Sequence, residues 1–113
     1  MWLATFTVER QVYSWLSTLS QDYSNGLWHF YTLSNGGGYL APATPERFRI
    51  IVQSNDFSGT LSADAAGITA TLFALSSLSF KFPRIEILST RFHQLWDFAG
   101  EHAERRLIFQ AID

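Results

Sequence analysis

The order of apolar and polar residues divides the chain into helical and strand-like segments. Val8, Val12, Trp15, Leu16 and Leu19 fall on one helical face, which predicts a helix over Thr7 to Leu19. Thr7 is placed to cap it, and Glu9 lies in the first turn near the positive end of the helix dipole. The following SQDYSNG is turn-forming. LWHFYTL, residues 27–33, is aromatic and β-prone and is bounded by glycine turns, so it predicts a strand. Leu27, His29, Tyr31 and Leu33 would share one face, and Trp28, Phe30 and Thr32 the other. GYLA is a second short strand. In RFRIIVQ, residues 47–53, Phe48, Ile50 and Val52 alternate with Arg47, Arg49 and Gln53, as in a sheet with one wet face. Pro42 and Pro45 fall between the second and third strands, and SNDFSG reads as a loop.

The second half reads as helix. Ser62 is placed to cap a long segment from Ala63 to Phe80, with Asp64 in its first turn. That segment is apolar nearly all round, which predicts the central, most buried element. Gly67 inside it costs about 1 kcal/mol against alanine and implies close approach of a neighbour. Pro83 suits the first turn of a helix over Arg84 to Ala99, striped by Ile85, Leu88, Phe92, Leu95, Trp96 and Ala99, with Gly100 as its stop. In HAERRLIFQAID, Leu107 and Ile108 pair with Ala111 and Ile112 at helical spacing, and a short helix is read there with a final strand as the alternative. The expected fold is α+β: a small antiparallel sheet of three or more strands covered by about four helices, in one domain over residues 1–113.

Composition narrows the function classes. With no cysteine, disulfides and thiolate metal sites are excluded, and a reducing cytoplasm fits. The opening MWLATFTVER lacks the basic-then-apolar pattern of a secretory signal, and the uncharged run from Ala65 to Phe80 is shorter than a membrane span, so no membrane association is expected. The net charge is −2, from eight basic and ten acidic residues. A strong duplex-DNA binder usually carries a basic stripe, and a DNA imitator needs a dense acidic face; this balance disfavours both.

Three consecutive glycines in YTLSNGGGYLAP raise the possibility of a phosphate loop. The lysine and hydroxyl residue of a P-loop are missing, and Pro42 closes the segment before a helix could begin. Asn35-Gly36 is instead a turn pair, and Asn35 to Gly38 is expected to form an exposed hairpin tip. His29, His93 and His102 show no metal-ligand spacing, and Ser58 and Ser62 sit in no nucleophile elbow. No cofactor, metal or catalytic set is therefore expected. His29 and Tyr31, with Arg47 and Arg49, make a basic–aromatic face that would suit weak binding of single-stranded nucleic acid; the competing reading is core packing. Asp64 reads first as a helix-start charge, and Asp113 as a frayed, solvated end or an acidic tip for a basic partner.

Three blocks carry a resemblance: YSWLSTLSQDYSNGLWHFYTLSNGGGYLAP, NDFSGTLSADAAGITATLFALSSLSF and FHQLWDFAGEHAERRLIFQAID. In that order and spacing they resemble the ArdB/KlcA antirestriction family over nearly the whole chain. The resemblance implies a non-catalytic protein of plasmids, prophages or other mobile elements, protecting incoming DNA from host type I restriction–modification enzymes. No cofactor is implied. The partner would be a subunit of the restriction enzyme or an intermediary host protein. The motif positions carried over are Trp28, Phe30, Tyr31, Asn35, Gly36, Gly37, Tyr39, Phe57, Ser58, Gly59, Ser62, Asp64, Gly67 and Asp113. Since the charge balance cannot support DNA imitation, the mechanism is expected to be something else.

Overall fold

The computed structural model describes residues 6–113, the Phe6 side chain excepted. Residues 1–5, which begin the segment read as lacking a secretory pattern, lie outside the described residues. The elements run α1 (Phe6–Leu19), β1 (Trp28–Thr32), β2 (Gly38–Pro42), β3 (Arg47–Val52), β4 (Phe57–Ser62), α2 (Ala63–Lys81), α3 (Glu86–Ala99) and α4 (Arg105–Ile112). The fold is α+β, as the pattern implied. The strands, however, form two separate antiparallel hairpins, β1–β2 and β3–β4, and not one sheet of three or more strands.

β4 takes up the second half of the expected loop SNDFSG, residues 57–59. A 3₁₀ turn over Gln53–Asn55 reverses the chain, and Phe57 to Ser62 then pairs along the whole of β3. Phe57 and Leu61 are buried on alternate positions of β4. Small residues between them hid that alternation, because Ser58 and Gly59 carry little β-propensity signal and of the three only Thr60 favours a strand. Thr7 lies inside α1 and does not cap it. Pro83 falls in the turn before α3, whose first residue is Glu86. The last segment is the helix of the two alternatives.

α2 is the centre of the molecule. It packs against α1, α3, α4 and β2, and touches both strands of the other hairpin. Twelve of its residues are buried, from Ala63 to Leu78. By length and composition it would pass for a membrane span, but 67% of its most apolar window is buried by the rest of the fold. Its two buried threonines are satisfied: Thr69 donates to the Ala65 carbonyl at 2.8 Å, and Thr71 Oγ1 accepts from the Leu40 N–H at 3.2 Å. Gly67 marks the crossing with β2. A Cβ there would lie 2.3 Å from the Leu40 carbonyl oxygen and 2.5 Å from Ala41 Cα. The close approach read from Gly67 is thus an approach of strand backbone, which explains why β2 is buried along its length.

The exposed face of β3 comes out as the alternation implied, with Arg47 and Arg49 outside and Phe48, Ile50 and Val52 inside. The stripe of α3 is narrower than its apolar residues suggested. Leu88, Leu95 and Ala99 are buried, whereas Ile85 and Trp96 are exposed. Trp96 lies on the outside against Phe109 of α4, ring centroids 4.7 Å apart.

Candidate functional site

Ser62 caps α2 as its position implied: its Oγ accepts from the Ala65 N–H at 3.1 Å. The same hydroxyl donates to Glu104, and the Ser62 N–H donates to the other Glu104 oxygen at 2.9 Å. Glu104 also lies 3.6 Å from the Arg47 guanidinium. One carboxylate from the start of α4 therefore ties the end of β4 to the start of α2, with β3 alongside. Opposite charge near the exposed rim adds little by itself; the buried donors it satisfies matter more.

The Glu104 N–H donates to His102 Nδ1 at 2.9 Å. That bond makes Nδ1 an acceptor, so the ring is the neutral tautomer with its proton on Nε2. Nε2 in turn meets Asp64 Oδ2 at 2.7 Å, and the His102 side chain is only 12% exposed. The second Asp64 oxygen accepts from the Tyr39 hydroxyl at 2.6 Å. Tyr39 is buried, stacked between Tyr31 and Phe98. Burial pushes the Tyr39 phenol well above its ordinary value, and the Asp64 carboxylate it donates to adds to the shift. The result is a chain of hydrogen bonds running Tyr39–Asp64–His102–Glu104–Ser62, joining β2, α2 and the α3–α4 connection.

Of the motif positions, this network assembles Tyr39, Ser62 and Asp64. His102, Glu104 and Arg47 complete it, and sequence reasoning gave none of them this role. His102 and Glu104 carried one weak signal: they are separated by a single residue inside the third recognisable block. Asp64 is more than a helix-start charge, because both of its oxygens are engaged by other elements.

A second group of motif positions shapes the first hairpin. Ser34 to Gly36 close β1 onto β2, with Gly36 at φ +96° and its N–H bonded to the Leu33 carbonyl at 3.0 Å. Asn35 and Gly36 are exposed as expected, but the tip is also held to α3 by hydrogen bonds. Asn35 Nδ2 donates to the Gln94 carbonyl at 2.9 Å, Gln94 Nε2 to the Asn35 carbonyl at 2.8 Å, and Arg91 to the Gly36 carbonyl at 2.9 Å. Gly37 and Gly38 are buried, and a Cβ on Gly37 would lie 2.8 Å from Gln94 Cβ. Glycine is needed there for helix contact and not for a ligand.

The remaining motif positions are dispersed. Trp28 donates to the Tyr23 hydroxyl at 3.1 Å, and Phe30 is partly exposed beside Gly38. The Phe57 ring covers Gly59, and Ser58 faces outward on β4. Asp113 is not frayed: Asn55 Nδ2 donates to its main-chain oxygen at 2.8 Å and to the Gln110 and Ala111 carbonyls. Among the described residues neither Ser58 nor Ser62 has a histidine as hydrogen-bond partner, which removes the geometric basis for a serine nucleophile.

Two clefts adjoin these groups. The larger, about 500 Å³, lies between α1 and β3 over the stacked rings of Trp15 and Phe73 and includes Arg49. The other, about 340 Å³, is bounded by His29 and Tyr31 of β1, Pro42, Thr44 and Pro45, and Asp64. The basic–aromatic face is therefore divided: His29 and Tyr31 line one cleft, Arg49 lines the other, and Arg47 is held by Glu104 and by the Thr60 carbonyl.

This arrangement of four helices around two hairpins recurs in a solved structure. The KlcA and ArdB proteins, described as having a novel fold and antirestriction activity against type I DNA restriction systems in vivo but not in vitro, match with a TM-score of 0.85. Identity is 45%, over 93% of this chain and 76% of that one. The family model for antirestriction proteins matches residues 21–113. The chain belongs to the antirestriction protein family. An antirestriction protein KlcA of Escherichia coli is 51% identical over 108 residues, covering 93% of this chain and 74% of the relative. The putative antirestriction protein YubI of Escherichia coli K12 is 32% identical over 111 residues, covering 93% of this chain and 78% of YubI. The matched segment includes the whole Tyr39–Asp64–His102–Glu104–Ser62 network, so in this antirestriction protein the network lies within the family domain.

Proposed function

We propose that this chain protects incoming DNA from type I restriction inside the cell, as an inhibitor that neither catalyses a reaction nor imitates DNA. The observation that carries the mechanism is charge. Ten acidic residues are offset by eight basic ones, far from the charge line of a duplex, which carries one negative charge per ~1.7 Å. Two carboxylates are also engaged within the fold, Asp64 by Tyr39 and His102, Glu104 by Ser62 and Arg47. The activity described for KlcA and ArdB in vivo but not in vitro supports a route that needs the cell, either a contact with a restriction subunit in its working assembly or an intermediary host protein. A cytoplasmic site of action accords with this reading.

The test compares transformation of a type I-restricting host by unmodified and modified plasmid, with and without expression of the protein. Expression is expected to raise the yield of unmodified plasmid alone. Unchanged restriction refutes the activity. Stoichiometric, salt-sensitive displacement of duplex from the purified restriction enzyme refutes the mechanism.

A further inference from the structure

We propose that the cleft between the β1–β2 hairpin and the start of α2 receives an arginine side chain of a partner protein, with its guanidinium paired to Asp64 and laid against the Tyr31 ring. The first support is an unmatched charge. Both partners of the Asp64 carboxylate are neutral donors, the Tyr39 hydroxyl at 2.6 Å and the Nε2–H of neutral His102 at 2.7 Å. Among the described residues no arginine or lysine pairs with it. The neighbouring carboxylate, Glu104, differs, since Arg47 stands beside it. A carboxylate has about four acceptor positions, so each Asp64 oxygen retains one. The side chain is 43% exposed and borders the cleft, so those free positions are reachable.

The second support is the shape of the wall. Tyr31 is 41% exposed, backed by Tyr39 stacked at 5.1 Å and edged by His29 at 6.0 Å. A ring braced in this way offers a fixed π-face beside an anion. A planar, weakly hydrated guanidinium suits both surfaces at once: two N–H groups for the carboxylate and a flat face for the ring. An ammonium is a compact, strongly hydrated point charge and uses only the first. The far wall is stiff, with Pro42 and Pro45 fixing the chain and the Thr44 hydroxyl bonded to Glu46 at 3.1 Å. At about 340 Å³ the cleft is sized for one side chain and not for a folded element.

The site stands on its own geometry, and its test uses the purified protein, so its failure would leave the restriction reading untouched. The probe is N-α-acetyl-arginine amide, titrated into labelled protein and followed by two-dimensional NMR. Saturable shifts at Asp64, Tyr31 and His29, with millimolar affinity, are expected, together with no response to the citrulline analogue. Tyr31→Ala lies on an exposed strand and should weaken binding severalfold while the remaining spectrum is retained. Asp64→Asn should weaken it at least tenfold, about 1.4 kcal/mol. No saturable shift, an equal response to citrulline, or unchanged affinity in both variants overturns the site. An equal affinity for the lysine analogue overturns the guanidinium assignment.

Discussion

Gly67→Ala sets two physical effects against each other. Helix propensity alone favours alanine inside α2 by about 1 kcal/mol. The new methyl, however, would sit 2.3 Å from the Leu40 carbonyl oxygen and 2.5 Å from both Cα and Cβ of Ala41. Ordinary contact is about 3.5 Å, so β2 must retreat by about 1 Å. These are strand backbone atoms, with no flexible side chain to swing aside. Overpacking of this kind costs ~1–3 kcal/mol, sometimes more. The retreat also stretches the bond from the Leu40 N–H to Thr71, now 3.2 Å, worth ~1 kcal/mol. A net loss of ~1–3 kcal/mol is expected once the propensity gain is subtracted, a fall in Tm of at least about 4 °C for a domain of this size. Urea and thermal unfolding followed by tryptophan fluorescence read it directly. Ser77→Ala, on the exposed side of the same helix, is the propensity control and should change stability by less than about 0.5 kcal/mol. Gly67→Ala equal to or more stable than the parent would refute the claim that β2 is locked against α2.

Asn35→Ala removes the side-chain bonds to Gly37 and to the Gln94 carbonyl, and should cost ~1–2 kcal/mol in urea unfolding; a neutral result would mean the hairpin is not held by α3. Glu104→Ala leaves the Ser62 N–H and hydroxyl without their acceptor and should cost ~2–3 kcal/mol, with amide exchange accelerating first at the start of α2. The raised pKa of Tyr39 has a defined pH signature. Its folded-state proton is held more tightly than in the unfolded chain, so its stabilisation is complete below the ordinary tyrosine value of 10.0 and is lost as pH rises towards its folded pKa. The stability gap between the parent and Tyr39→Phe, read by urea unfolding, should shrink only above pH 10.0. A gap that already shrinks below pH 10.0 would contradict the Asp64 bond.

The legible parts of the fold were those whose cause is local. α1, β3 and α2 follow from spacing, because each presents a continuous apolar face or surround. Ser62 was readable as a cap because the capping bond lies within one turn. The candidate site was legible only in fragments. Tyr39, Ser62 and Asp64 stood among the motif positions, but nothing in their spacing says that they meet residues 25 to 42 positions away. His102 and Glu104 stood at the start of HAERRLIFQAID, read as a short helix, and their roles depend on where the α3–α4 connection lands.

The sequence by itself determined the α+β class, the central apolar helix, the turn at Asn35-Gly36 and a charge balance that disfavours DNA imitation, because composition and short-range periodicity carry all of these. Only the tertiary structure decided that the strands form two hairpins, that the glycine turn lies against α3, and that Asp64 sits between Tyr39 and His102 at the edge of a cleft. Those outcomes depend on contacts between residues far apart in the chain. Their energies reward one packing of the whole molecule and leave no trace in any single segment.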